Sequence, residues 1–167
     1  MKILPASKRD IKLTGSEILT CEVLAKLRYD NNRNKNVRNS KLGSQDNVYT
    51  DLEGLCGELA FCKFFNVYPD LSVGIRSSNN GEDMGDCVLE GKTIDVKVTK
   101  YSKGKLLAPS WKSNTVDYYA LMVGEKGKYT FKGFMESSEL LKSSRLGSLG
   151  YGETYIAEQH ELTGGLL

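Results

Sequence analysis

Gly85-Asp86-Cys87-Val88-Leu89-Glu90-Gly91-Lys92-Thr93-Ile94-Asp95-Val96-Lys97-Val98 is the stretch on which the reading of this chain turns. Apolar runs flank Glu90-Gly91, a pair suited to a two-residue turn in which Gly supplies the positive φ, so a β-hairpin is expected. In that register Cys87 faces Ile94 and Asp86 faces Asp95. Side chains alternate along a strand, so Asp95, Lys97 and Thr99 share one face while Ile94, Val96 and Val98 share the other. Two carboxylates about 4.5–5.5 Å apart on neighbouring strands repel, and a globular protein keeps such a pair only when something offsets it. A divalent cation would do so, and a lysine two residues along completes a hydrolytic arrangement. Asp86, Asp95 and Lys97 are therefore candidates for a metal-dependent active site. The plainer alternative is an edge strand with a charged face.

The whole chain limits what that site can belong to. Its 167 residues are enough for one domain, residues 1–167, with a core that needs no staples. A hydrophobic content of 40% and a charged content of 26% are both ordinary for a soluble globular protein. The net charge of +2 is too small to imply a polyanionic partner by itself, so any nucleic-acid surface must be local. No apolar run approaches the roughly 20 residues of a membrane span. Met1 to Asp10 turns charged before a signal-peptide core can form, so a cytoplasmic protein with no membrane partner is expected. Cys21, Cys56, Cys62 and Cys87 form no CxxC pair and sit in apolar patterns, which reads as reduced core thiols. Zinc is disfavoured by the single histidine, His160, and the lack of ligand spacing.

Periodicity organises the rest. Thr14-Gly15-Ser16-Glu17 resembles a capping box. Ile18, Leu19, Val23, Leu24 and Leu27 then recur at helical spacing, predicting a helix over 16–30. Residues 31–47 read as a flexible basic loop, with Arg33, Lys35, Arg38 and Lys41 and no acid through Lys41. A second capping box, Thr50-Asp51-Leu52-Glu53, opens a helix to about Asn66 that is apolar over most of its circumference and so interior. Strands follow at 72–76, 86–89 and 92–100. A second hairpin, Asp117 to Val123 and Tyr129 to Met135, turns at Gly124 to Gly127. A short helix over Ser137 to Leu141, a loop at Gly147 to Gly152 and a last strand over Thr154 to Leu162 complete the order. That order favours one α/β or α+β sheet with helices packed on it.

Glu58 adds a third acid. Its neighbours one turn away on the second helix are Gly54, Leu55, Phe61 and Cys62, and a carboxylate in that stripe is costly unless paired or bound to a cation. A salt bridge to a core-facing Lys or Arg is the plainer alternative. Glu53 points about 140° away on a 3.6-residue helix and is assigned to structure, as the capping acid.

Gly57-Glu58-Leu59-Ala60 on a helix, then Gly85-Asp86, then Asp95-Val96-Lys97, resembles the PD-(D/E)XK nuclease superfamily, especially small single-domain members from bacteriophage genomes. The likeness runs from about residue 50 to 100 and continues more weakly through Asp117 to Leu121 and Phe131 to Phe134. One departure is Gly85, where the family motif nominally has Pro. The literal Pro69-Asp70 lies in a helix-to-strand loop 25 residues before Asp95, so Asp86 is preferred as the first Asp. The resemblance implies a restriction-endonuclease-like α/β core, a central mixed β-sheet flanked by helices. It also implies a Mg²⁺- or Mn²⁺-dependent DNA endonuclease, in the host cytoplasm if phage-encoded.

In that chemistry Asp86 and Asp95 would hold the metal, with the Val96 carbonyl as a further hard oxygen ligand and Glu58 coordinating directly or through water. The cation lowers the pKa of a bound water and screens phosphate oxygens. Lys97 would orient the attacking water or stabilise negative charge, with a pKa expected to fall near the cation. Lys100, Lys103, Lys105 and Lys112 form a run without an acid before Asp117. Together with Arg33, Lys35, Arg38 and Lys41 they would line a groove for a phosphate backbone, or else stand as solvated loop ends. Trp111 either packs at a loop base or stacks on a nucleobase. A loop acid at Asp83 reads as solvated, and His160 as a surface or partly packed residue. A double-strand cut by one-site subunits would call for a homodimer. Two rivals remain: a nucleic-acid-binding or assembly protein on the same fold without turnover, and a Mg²⁺ hydrolase of small phosphoesters.

Overall fold

The computed structural model describes residues 9–34, 47–73, 85–112, 115–150 and 152–166. In chain order its elements are β1 (Asp10–Lys12), α1 (Gly15–Asn34), α2 (Asn47–Phe65), β2 (Cys87–Leu89), β3 (Lys92–Thr99), β4 (Leu106–Pro109), β5 (Tyr118–Glu125), β6 (Lys128–Glu136), α3 (Ser137–Leu140), β7 (Leu146–Ser148) and β8 (Glu153–Ala157). The decisive hairpin forms in the expected register, with Cys87 opposite Ile94, Val88 opposite Thr93 and Leu89 opposite Lys92. Glu90 and Gly91 both have positive φ, 51° and 78°, as a two-residue turn matched to strand twist requires.

Five strands make one mixed sheet in the order β1-β6-β5-β3-β2. β3 runs parallel to β5, setting Asp95 beside Tyr119 and Lys97 beside Leu121. A parallel pair needs a crossover, and here the chain makes it through β4, which belongs to a second, antiparallel sheet in the order β4-β8-β7. The fold is thus mixed α and β around a mixed sheet. Its two faces are covered differently.

Strand alternation explains that division. Ile94, Val96, Tyr118, Ala120 and Met122 join Leu55, Cys56, Ala60, Phe61 and Cys62 of α2 and Cys21 and Ala25 of α1 in one core. Tyr119, Leu121 and Val123 join Leu106, Ala108, Ala157 and Leu140 in another, beneath the small sheet and α3. The two long helices therefore cover one face and the second sheet covers the other, where flanking helices had been expected.

Several boundaries differ from the periodic reading. The basic stretch 31–47 is helical at both ends: α1 continues to Asn34 and α2 starts at Asn47. Lys35, Arg38 and Lys41 lie outside the described residues, and Arg33 stands in the last turn of α1. Because α2 begins three residues before Thr50, Glu53 does not cap it. Its carboxylate instead accepts hydrogen bonds from the Tyr129 hydroxyl at 2.6 Å and the Lys126 amide at 3.2 Å. The first capping box does form, with Thr14 N to Glu17 Oε2 at 2.6 Å and Glu17 N to Thr14 Oγ1 at 3.2 Å.

Residues 72 and 73 are not in a strand, and the remainder of that predicted strand lies outside the described residues, as does Asp83. The last strand ends at Ala157 and gives way to a 3-10 turn over Gln159–Glu161 that carries an exposed His160. The segment 147–152, expected as a loop, begins inside β7. Among the described residues no helix is long and apolar enough to cross a membrane.

In α1 the inward face is not the most hydrophobic one. Cys21 and Ala25 are buried, whereas Leu19, Val23 and Leu27, one above another at four-residue spacing, are 59%, 53% and 45% exposed. Small side chains let α1 lie close against α2, and of the larger apolar residues that revealed the helix Ile18 and Leu24 pack on the core while Leu19, Val23 and Leu27 face outward. All four cysteines are buried and free, as the apolar patterns predicted.

Candidate active site

Asp86 enters the site through an unusual backbone. Gly85 has φ of +67°, and a Cβ there would meet the Ile94 carbonyl oxygen at 2.4 Å. Pro, locked near φ of −65°, cannot take that conformation, and any Cβ would clash with the Ile94 carbonyl, which accounts for the glycine. The turn brings the Asp86 amide to Ile94 O at 2.7 Å and the Asp86 carboxylate to the Val96 amide at 2.7 Å. A side-chain oxygen thus stands where a longer β2 would have offered a backbone carbonyl. The paired register ends at Cys87, so Asp86 sits at the open edge of β3 instead of directly opposite Asp95. An N–H and C=O of one strand residue point to the same side, so the Val96 carbonyl is directed to the edge that Asp86 occupies.

Asp95 lies on the face under the second sheet, and both acids are 5% exposed. Its two oxygens meet two ammonium groups, Lys97 Nζ at 2.6 Å and Lys112 Nζ at 3.5 Å. Burial works to raise the Asp95 carboxyl, but the Coulomb attraction and hydrogen bonds of these lysines more than reverse it and hold the pKa below the usual value. Burial likewise opposes the charge on Lys97, yet Asp95 and then Asp86 outweigh it and its pKa is raised. The fall expected for this lysine concerns a bound cation; in the protein alone the charges that act on it most are those of the two carboxylates. Lys97 also lies 5.8 Å from the centre of the Tyr119 ring.

Glu58 is drawn into a different arrangement. Its carboxylate pairs with Arg28 at 3.5 Å, the salt bridge weighed as the plainer alternative. Arg28 also donates to the carbonyls of Asp70 at 2.6 Å and Ser72 at 2.9 Å, and the Asp70 amide donates to Asp86 O at 3.2 Å. Glu58 thereby reaches the Asp86 backbone through Arg28 and the segment after α2. Among the described residues no group of three or more His, Cys, Asp or Glu side chains is gathered closely enough to hold a metal ion. Glu58, Asp86 and Asp95 do not form such a trio, and the acids whose charges act on Lys97 are Asp95, in direct contact, and Asp86. An open cleft of about 530 Å³, lined by Tyr68 to Ser72 and by Gly85 to Val88, leads to the Asp86 edge.

The sequence had not suggested Arg28 as a site residue, and had offered Lys112 only as a groove-lining lysine, not as a partner of Asp95. Arg28 carried a readable signal: it falls on the Cys21–Ala25 face of α1, where a buried cation requires an acid. Lys112 had only its place in the acid-free run. The other lysines of that run diverge. Lys105 is spent on Glu158 at 2.6 Å, while Lys100 and Lys103 are exposed, Lys100 lying 5.5 Å from the Tyr101 ring centre.

Comparison with known proteins found one family match. Residues 4–140 match the family model DUF5843, described as a family of unknown function. No match was found among curated proteins or among solved structures.

Proposed function

The chain belongs to DUF5843, whose function is unknown, and from its site we propose that it is a metal-dependent nuclease, hydrolysing phosphodiester bonds of DNA on a restriction-endonuclease-like core. The observation that carries this reading is that two buried carboxylates and a lysine converge on three consecutive residues of β3: Lys97 pairs with Asp95, and Asp86 accepts the amide of Val96 between them. Lys97 is 2.6 Å from Asp95 and lies within the field of Asp86.

The donor set suits Mg²⁺ or Mn²⁺. Mg²⁺ is typically held by one or two carboxylates plus substrate oxygens and water, and a carboxylate has about four lone-pair positions, more than the two lysine contacts of Asp95 fill. Lys112, the longer of the two partners of Asp95, is the one a cation would displace. Asp86 and Asp95 would hold the ion, with the Val96 carbonyl on the same edge as Asp86. When bound, the metal would supply an acidified water and positive charge for the phosphate. Lys97, as an ammonium, would donate hydrogen bonds to a phosphate oxygen and offset the charge that grows on it. Glu58 acts at one remove in this reading, by fixing Arg28 and hence the 70–72 segment beside Asp86.

The test is incubation with supercoiled, linear and branched DNA in Mg²⁺, Mn²⁺ or EDTA. Cleavage should vanish with EDTA and in Asp95→Asn and Lys97→Ala variants that remain folded. Retained cleavage in both would sink the assignment. One observation favours a rival, a nucleic-acid-binding or assembly protein without turnover: two lysines and Arg28 answer the charges of Asp95 and Glu58 with no cation needed. Binding without cleavage in any metal would favour that rival.

A further inference from the structure

The segment that delivers Lys112 to Asp95 also delivers the only tryptophan of the chain. Trp111 follows β4 in the crossover from β3 to β5 and is 46% exposed. The Lys112 ammonium lies 5.8 Å from the Trp111 ring centre and 3.5 Å from Asp95. One lysine therefore ties an exposed indole to the candidate catalytic carboxylate through two contacts in series. At a rise of about 3.4 Å per stacked base, that reach is no more than about three nucleotides. Burying the indole would remove a large apolar area from water, yet the fold leaves nearly half of it outside. A second pair of the same make-up, Lys100 against a 62% exposed Tyr101, follows the end of β3, the strand that carries Asp95 and Lys97.

A half-exposed aromatic side chain with an ammonium near its ring, next to a candidate phosphate-handling site, matches the demands of an unpaired nucleotide. The base stacks on the ring, and the lysine meets the phosphate. A paired base has both faces covered by its neighbours and must leave the stack before an indole can take it. We propose that Trp111 and Lys112 form a subsite for an unpaired nucleotide adjoining the Asp86/Asp95/Lys97 site, so that the substrate class is DNA with a single-stranded segment. This rests on the nuclease reading for its purpose, though the binding it describes can be measured without turnover.

Because Trp111 is the sole tryptophan, its fluorescence reports this subsite alone. The full chain is titrated in EDTA with a short single-stranded oligothymidylate and, separately, with a duplex of equal length. Saturable quenching by the single strand, weaker by the duplex, is expected. Affinity for a labelled oligothymidylate, read by anisotropy, should fall about five- to a hundredfold in Trp111→Ala and far less in Trp111→Phe, which keeps a ring. Lys112→Gln should lower the slope of log affinity against log salt by about one contact. Absent quenching, equal quenching by duplex, or unchanged single-strand affinity in a folded Trp111→Ala would overturn the subsite. Quenching without cleavage in any metal would sustain it and overturn hydrolysis. Cleavage by a protein whose tryptophan stays unquenched would do the reverse.

Discussion

Replacing Lys97 with Met should destabilise the fold more than neutralising the carboxylate that Lys97 holds. The Asp95 side chain is 7% exposed, against 27% for Lys97 and 19% for Lys112. Lys97→Met keeps the aliphatic stem but leaves Asp95 with one lysine at 3.5 Å and with the charge of Asp86 nearby. Stranding a buried charge costs about 3–5 kcal/mol, and the surviving Lys112 contact places the expectation at about 3–4 kcal/mol. Asp95→Asn keeps the shape, and the two ammoniums it releases retain some solvent, so about 2 kcal/mol is expected. The double variant should then lose less than Lys97→Met alone, since it removes the charge that was stranded.

Urea unfolding at constant slope gives these differences directly from the midpoints. A double variant whose loss equals the sum of the singles to within about 0.5 kcal/mol would refute the coupling drawn between the two side chains. Mg²⁺ adds a second readout to the same experiment. In Lys97→Met the two acids have lost a cation, so the ion should raise stability by about 2.7 kcal/mol at a hundredfold excess over its dissociation constant. Asp95→Asn should gain far less. No gain in Lys97→Met would count against Asp86 and Asp95 as a cation site.

Other perturbations probe the scaffold. A Cβ at Gly57 would lie 2.2 Å from Val98 Cγ2, so Gly57→Ala should cost about 1–3 kcal/mol by overpacking despite its better helix propensity; Val98→Ala in the same chain should recover much of that in thermal unfolding. Val23→Gln, on the exposed stripe of α1, should change stability by no more than about 0.5 kcal/mol, whereas Ala25→Leu on the buried face should cost about 1–3 kcal/mol; the opposite ranking would reverse the orientation of α1. The Asp117 carboxylate accepts hydrogen bonds from the Thr93 amide at 2.8 Å and hydroxyl at 3.0 Å, which hold its pKa below the usual value. A depressed folded pKa contributes stability above the unfolded value of about 3.9, lost as pH falls through the folded one. Wild type and Asp117→Asn should accordingly differ most from neutral pH down to about 5 and converge in acid, with a constant difference counting against the contact.

Much of the fold was legible because its signals are local. Glu90-Gly91 between alternating apolar residues determines a turn and hence a register, and the Cys87–Ile94 pairing follows from chain geometry alone. Thr14 and Glu17 lie one turn apart, so their capping box needs no tertiary partner. The same logic failed where a partner was needed. Glu53 resembled a capping acid, but the hydroxyl that engages it belongs to Tyr129 on β6. Ile18, Leu19, Val23, Leu24 and Leu27 announced a helix but not its buried face: Ile18 and Leu24 pack on the core while Leu19, Val23 and Leu27 stay exposed, because periodicity reveals that a stripe exists but not which neighbour it meets.

The candidate site divides in the same way. The sequence by itself determined that Asp95 and Lys97 share a face, since two residues of strand separate them whatever the rest of the chain does. It also marked Asp86 as an acid at the hairpin mouth and Glu58 as one in an apolar stripe. Only the tertiary structure decided how each charge is answered. Arg28 reaches Glu58 from another helix, Lys112 reaches Asp95 from a crossover in a second sheet, and Gly85 bends the chain so that the Asp86 carboxylate takes the Val96 amide. The electrostatics of a buried charge depend on every group within a few ångströms, and those groups come from segments whose positions no local pattern encodes.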